Sequence, residues 1–179
     1  MEKIEKHPFL EWRNIDKDSG LILPWYTDKC LEWLKTIDLS KFAVFEYGSG
    51  MSTSWWKFNA DYVDSVDTSK EWAKKVGASF IDEMIPYIKN IHMRSALNEN
   101  RKYDIIVIDG SWRDECTQEA LKCINPGGYI LIDNYHQASV DLPESSWTKT
   151  DELLKDYPRV IFTQEGHPDW KTALWQIVK

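Results

Sequence analysis

Residues able to do chemistry gather in this chain where acids follow apolar runs. Glu46-Tyr47-Gly48-Ser49-Gly50 closes one such run and leads into the hydroxyl-rich Ser52-Thr53-Ser54. Two glycines spaced by one residue let a backbone approach a ligand that a Cβ would push away. The free N–H groups of a helix starting there favour a negative group. Asp67 ends the segment Asp61-Tyr-Val-Asp-Ser-Val-Asp67, about twenty residues past the first glycine, the separation at which a neighbouring parallel strand offers a carboxylate to ribose hydroxyls. Asp109 ends Tyr103-Asp-Ile-Ile-Val-Ile, and the pair Asp133-Asn134 ends Tyr129-Ile-Leu-Ile. One strand-end acid is usually a turn or helix cap, whereas four acids at one rim (Glu46, Asp67, Asp109 and Asp133) point to a ligand site. His136 follows that pair by two residues and is the best general-base candidate by its titration range, although a solvent-facing loop histidine would look the same.

These residues need a scaffold that brings strand ends together. A helix is expected from Thr27, with Cys30, Leu31, Trp33, Leu34 and Ile37 at helical spacing. The glycine-turn strand follows, then a short helix over residues 52–58, the Asp67 strand, and a helix over 69–76 with Trp72 and Val76 on one face. Residues 78–86 are ambiguous, and 87–94 read as a third strand. The aliphatic run before Asp109 suits a central strand buried on both faces. A helix through Cys116, Ala120, Leu121 and Ile124 ends at Asn125-Pro-Gly-Gly128, and the Asp133 strand follows. A helix over 146–156 precedes strands at 159–163 and 172–178. Strands alternating with helices imply a parallel sheet with right-handed crossovers. The last two strands are joined by too few residues for a helical crossover, so the final one should run antiparallel. The expected fold is α/β: a Rossmann-like three-layer α/β/α sandwich whose seven-stranded sheet is mostly parallel with an antiparallel last strand.

With 179 residues, the chain is long enough for one domain with a real core. We read 1–179 as one unit, with 1–40 an N-terminal arm and helix and 41–179 the ligand-binding core. Lys and Arg number 22 against 29 Asp and Glu, a net charge of −7 that argues against nucleic-acid binding through a phosphate backbone. Three cysteines, Cys30, Cys116 and Cys123, lack ligand-like spacing with histidine and suit a reduced, cytoplasmic setting. No apolar run approaches membrane-spanning length. Oligomeric state is not indicated.

Glu46-x-Gly48-x-Gly50 resembles motif I of class I S-adenosylmethionine-dependent methyltransferases, and Val66-Asp67 resembles the acidic end of their second strand. A dinucleotide fingerprint would want a third glycine where Thr53 stands. Six parallel strands and one reversed strand are similar to the methyltransferase sheet as well, so the resemblance covers about residues 41–179. It implies a methionine portion against Gly48 and Gly50, flanked by Tyr47 and Ser49, and a ribose on Asp67 beside Thr68. Adenine would lie near Ser95, Ala96 and Leu97, where Ser95 stands in place of the acid many relatives carry. Ser52 and Thr53 could meet the amino-acid end of the cofactor, or could simply cap a helix. Trp112 could stack on adenine or on substrate, or pack in the core.

Asp109, Asp133 and Asn134 are similar to the Mg²⁺ ligands of catechol-type O-methyltransferases, an all-oxygen set suited to that ion. Those enzymes carry a lysine shortly after the first acid; here Ser111-Trp112-Arg113 follows, and arginine is a poor base. The resemblance therefore implies methyl transfer to a small molecule, an oxygen nucleophile being slightly favoured, with Asp109 and His136 as catalytic candidates. A nicotinamide-dependent oxidoreductase and a non-catalytic cofactor-binding module are the alternatives. Pro24-Trp25-Tyr26-Thr27 could form part of a lid or a hydrophobic staple on the first helix.

Overall fold

A computed structural model describes residues 15–81, 101–136 and 147–178. Seven strands form one sheet: β1 (Ala43–Tyr47), β2 (Tyr62–Asp67), β3 (Ser79–Phe80), β4 (Tyr103–Ile108), β5 (Ile124–Ile132), β6 (Arg159–Gln164) and β7 (His167–Gln176). Their order across the sheet is β3-β2-β1-β4-β5-β7-β6. β1 pairs in parallel with β2 and β4, β2 with β3, and β4 with β5, while β7 runs antiparallel to both β5 and β6. Six strands thus share one direction and β7 alone is reversed, as the short last connection requires. That connection is tighter than the sequence suggests. Gln164 pairs with His167 around Glu165-Gly166, with Gly166 at φ +75°.

Among the described residues five α-helices flank these strands: α1 (Asp28–Leu34), α2 (Met51–Asn59), α3 (Lys70–Val76), α4 (Arg113–Cys123) and α5 (Thr148–Leu154). The two-residue period of the strands sorts their side chains into two cores. Phe45, Tyr47, Ile106, Ile108, Ile130 and Ile132 face α4 and α5. Val44, Ile105, Val107 and Leu131 face α1 and α2, against Leu31, Leu34, Trp55 and Trp56. Burial on both faces explains why β4 is aliphatic almost throughout. The same period sends Glu46, two residues past Val44, into the α2 side.

Some expectations change. Trp72 is exposed, with the Lys75 ammonium 4.4 Å from its ring, and α3 is buried through Ala73 instead. Tyr26 is fully buried, and its hydroxyl accepts from Trp56 Nε1 at 3.0 Å, so it is a core residue; only Trp25 of that aromatic pair is exposed. Backbone over Asn125-Pro-Gly-Gly128 already belongs to β5, because Gly127 accepts a left-handed turn and pairs with Ile177. The described third strand is the short, exposed Ser79–Phe80 at the sheet edge, whereas the segment expected as that strand, 87–94, lies outside the described residues.

Candidate active site at the sheet switch point

The order in which strands are added reverses between the parallel neighbours β1 and β4: β1 leads outward to β2 and β3, β4 outward to β5. Crevices at such points, over the carboxyl ends of strands, are where open α/β sheets bind ligands. Gly48 sits there at φ +85°. Its N–H donates to Val66 at 2.9 Å, and the Asp109 N–H donates to Tyr47 at 2.8 Å, so the turn is tied to the ends of β2 and β4 together. The Tyr47 side chain is buried in the core, 4.7 Å from the Phe45 ring, which leaves its backbone as its part of the site.

Gly50 differs from Gly48. Its φ of −174° is extended backbone open to any residue, and an added Cβ would meet nothing nearer than Ser52 Oγ at 4.0 Å. Nothing among the described residues fills that space. A side chain there would project into the open space at the start of α2.

Beneath this turn lies Glu46, fully buried. Its carboxylate accepts from Ser52 Oγ at 2.5 Å, from Ser65 Oγ at 3.1 Å, and from Thr53 Oγ1. Thr53 Oγ1 in turn accepts from the Gly50 N–H at 3.0 Å. The Ser52 and Thr53 hydroxyls are therefore committed to Glu46, and Glu46 reaches the turn through Thr53. Burial pushes the Glu46 carboxyl up to about 7, opposed by the three hydroxyl donors.

Asp67 is half-buried at the end of β2. Oδ2 accepts from the Ser49 N–H at 2.6 Å and from Ser49 Oγ at 2.9 Å; Oδ1 accepts from the Ser69 N–H at 2.5 Å. A carboxylate has about four acceptor positions, so capacity for ribose hydroxyls is left. Thr68 follows, also half-buried. Ser95 and Ala96 lie outside the described residues.

At the far side of the switch, Asp109 is 27% exposed and Asp133 is buried. Burial raises the Asp109 carboxyl well above its usual range and the charge of Asp133 adds to this, while Arg113 opposes both. Asp133 Oδ1 accepts from Thr172 Oγ1 at 2.6 Å. Asn134 and Trp112 both adopt left-handed backbone, at φ +50° and +58°; Trp112 precedes α4 and is exposed, so it is not a core residue.

Arg113, weighed in the sequence only as a poor base, has a different part here. It is buried, heading the inward face of α4 ahead of Cys116, Thr117, Ala120 and Cys123. Side chains on a helix lean toward its N-terminus, which carries this one to the strand ends. Nη1 donates to the carbonyls of Ile108, at 3.3 Å, and of Asp133; Nη2 lies 3.5 Å from Asp109 Oδ1. Tracing the buried stripe of α4 back one turn would have found it.

The donor set does not fit Mg²⁺. The ion requires near-octahedral oxygen ligation. Here a guanidinium pairs with Asp109, and Asp133 spends an oxygen on Thr172.

His136, at φ +56°, has Nε2 2.9 Å from Asp151 Oδ2 and stacks on Trp147, with ring centroids 5.5 Å apart. Tyr135 donates to the other Asp151 oxygen at 2.5 Å, and Arg159 donates to the Tyr135 hydroxyl at 3.0 Å. Asp151 was invisible in the sequence, since nothing in its spacing links α5 to residue 136. Among the described residues no helix is long and apolar enough to cross a membrane.

A scan against models of known families finds no match, and neither does a comparison with curated proteins. Solved structures do match. A Klebsiella pneumoniae protein provisionally described as an O-methyltransferase aligns over 99% of this chain and 93% of its own, with TM-score 0.64 and 17% identity. The O-methyltransferase from Bacillus cereus, solved with S-adenosylhomocysteine (SAH), aligns over 96% of this chain and 86% of its own, at TM-score 0.61 and 16% identity. The N-methyltransferase NodS from Bradyrhizobium japonicum aligns over 84% and 96%, at TM-score 0.54 and 15% identity. The chain has the Rossmann-like fold of these proteins.

Proposed function

We propose that this chain transfers a methyl group from S-adenosylmethionine to a small-molecule acceptor. One observation carries the reading: at the switch point of a β3-β2-β1-β4-β5-β7-β6 sheet, the glycine turn leaves open space at Gly50 and is hydrogen-bonded to the strand-end acid Asp67. Gly48, Gly50 and the start of α2 would hold the methionine portion, and Asp67 the ribose. By the resemblance alone, Thr68 falls to the ribose side, Ser95 and Ala96 to the adenine, and Trp112 to adenine or substrate. When bound, the cofactor supplies an electrophilic methyl on a sulfonium, which a nucleophile displaces in line.

The chain contributes position and a base. A hydroxyl acceptor must lose its proton as its oxygen attacks, and His136 takes that proton, oriented by Asp151. An amine with a free lone pair needs no such help before attack, so the His136–Asp151 pair favours an oxygen nucleophile. The electron pair of the broken bond stays on sulfur, leaving SAH. Asp109, joined by its backbone to the glycine turn and by its side chain to Arg113, stands between cofactor and acceptor ends. A single domain acting in the cytoplasm on a small molecule, without nucleic acid or membrane, completes the reading.

Calorimetric titration with SAH, competed with NADH, tests it. Micromolar SAH binding that NADH fails to displace is expected. NADH binding without SAH binding would instead mark a nicotinamide site.

A further inference from the structure

We propose that the guanidinium of Arg113 takes the place, between the ends of β4 and β5, of the divalent cation that the sequence resemblance assigns to Asp109, Asp133 and Asn134. The three residues of that set follow the two strands this side chain joins. Nη1 bridges the carbonyl of Ile108, the last residue of β4, and that of Asp133, the first beyond β5, while Nη2 faces Asp109. A cation is thus built into the covalent chain. It is permanently charged, and its Nη1 and Nη2 donors meet carbonyl and carboxylate oxygens by direction, where Mg²⁺ would bind them by ligation.

Three features separate this site from a metal site. The pocket's positive charge is already supplied, so a divalent ion would meet repulsion from a neighbour buried with it. Thr172 holds one Asp133 oxygen at 2.6 Å from within the sheet. Arg113 is only 3% exposed and lies with its guanidinium carbon 5.6 Å from the centre of the Trp147 ring, packing that leaves it little freedom to withdraw.

The consequence for acceptors rests on the methyltransferase reading. A metal-bearing site selects acceptors with two adjacent oxygens able to chelate. A site organised by Arg113 has no such demand, and it suits an acceptor with a single hydroxyl.

The test is Mn²⁺ titration of the whole protein, followed by electron paramagnetic resonance, with SAH titrated in parallel. Wild type should bind no Mn²⁺ at concentrations up to about 1 mM, where weak oxygen-ligand sites fill. Its Tm should be the same in Mg²⁺ and in chelator. Arg113→Met leaves Asp109 without its ion-pair partner, so its Tm should fall and then rise with added Mn²⁺, as binding to the folded state requires. Arg113→Lys should remain indifferent to metal.

Mn²⁺ binding by wild type that Asp109→Asn abolishes would overturn the proposal. If Arg113→Met does not fold, the wild-type titration and Arg113→Lys still decide. Absence of SAH binding alongside absence of Mn²⁺ binding would sink the methyl-transfer reading and leave the role of Arg113 standing.

Discussion

Gly48 packs directly on the backbone of Asp109: a Cβ at Gly48 would stand 2.7 Å from the Asp109 carbonyl carbon and oxygen. The two residues are held together because β1 and β4 are parallel neighbours, Tyr47 level with Ile108. Gly48 is therefore required by the protein's own structure, through both its positive φ and this contact, while Gly50 is required by neither.

Substituting the two glycines should separate folding from binding. Gly48→Ala is expected to cost roughly 2–4 kcal/mol of stability, combining overpacking with left-handed strain. Gly50→Ala should cost about 1 kcal/mol or less, the loss of a modest helix cap, yet weaken SAH binding at least tenfold. Chemical denaturation and calorimetry distinguish them. Equal loss of stability in both would refute the assignment of the Gly50 space to a ligand.

Asp67 has two duties that one substitution can expose. Its oxygens order Ser49 and Ser69, and its remaining acceptor capacity is what the proposed ribose contact would use. Asp67→Ala should reduce SAH affinity tenfold or more, as loss of a charged hydrogen bond does, and lower stability by about 1–2 kcal/mol. Unchanged affinity in a folded variant would remove Asp67 from the site.

Where the sequence was readable, local chemistry and tertiary role coincide. The aliphatic run of β4 must be central because only burial on both faces tolerates it, and the glycine turn must be tight because no other residue suits Gly48. Arg113 and Asp151 show the opposite case. Arg113 was weighed in the sequence only as a poor base, because only the packing of α4 on the sheet buries it and turns it to the strand ends. Asp151 becomes a partner of His136 only when α5 folds back beside the end of β5. The spacing of Trp72 and Val76 marks a helical face but not its burial, and α3 buries only the small Ala73.

Glu46 should make stability depend on pH. Its carboxyl is raised from 4.5 to about 7 in the fold. Between those values the folded state holds a proton the unfolded chain has released, so stability falls as pH rises through the window. The change from this one group is roughly 3 kcal/mol, present below pH 4.5 and lost above about 7. Glu46→Gln removes the proton exchange and should flatten the difference. Urea denaturation of both proteins from pH 4.5 to 8 checks this. A wild-type protein that gains stability over that range relative to Glu46→Gln would reverse the sign and disprove it.

His136 and Asp151 can be tested without knowing the natural acceptor, once a screen of hydroxyl compounds with labelled S-adenosylmethionine yields a turnover. Removing a general base costs typically 10²–10⁴ in rate, so His136→Gln should lower kcat by about that factor while SAH affinity stays at the wild-type value. Asp151 does not touch the acceptor in this scheme; it orients the imidazole, and Asp151→Asn should lower kcat by a smaller factor, about tenfold, with KM little changed. A packing role alone predicts something different: reduced Tm, with kcat per folded molecule preserved. If kcat survives both substitutions, the acceptor arrives already ionised or attacks through nitrogen, and the preference for oxygen falls with the base.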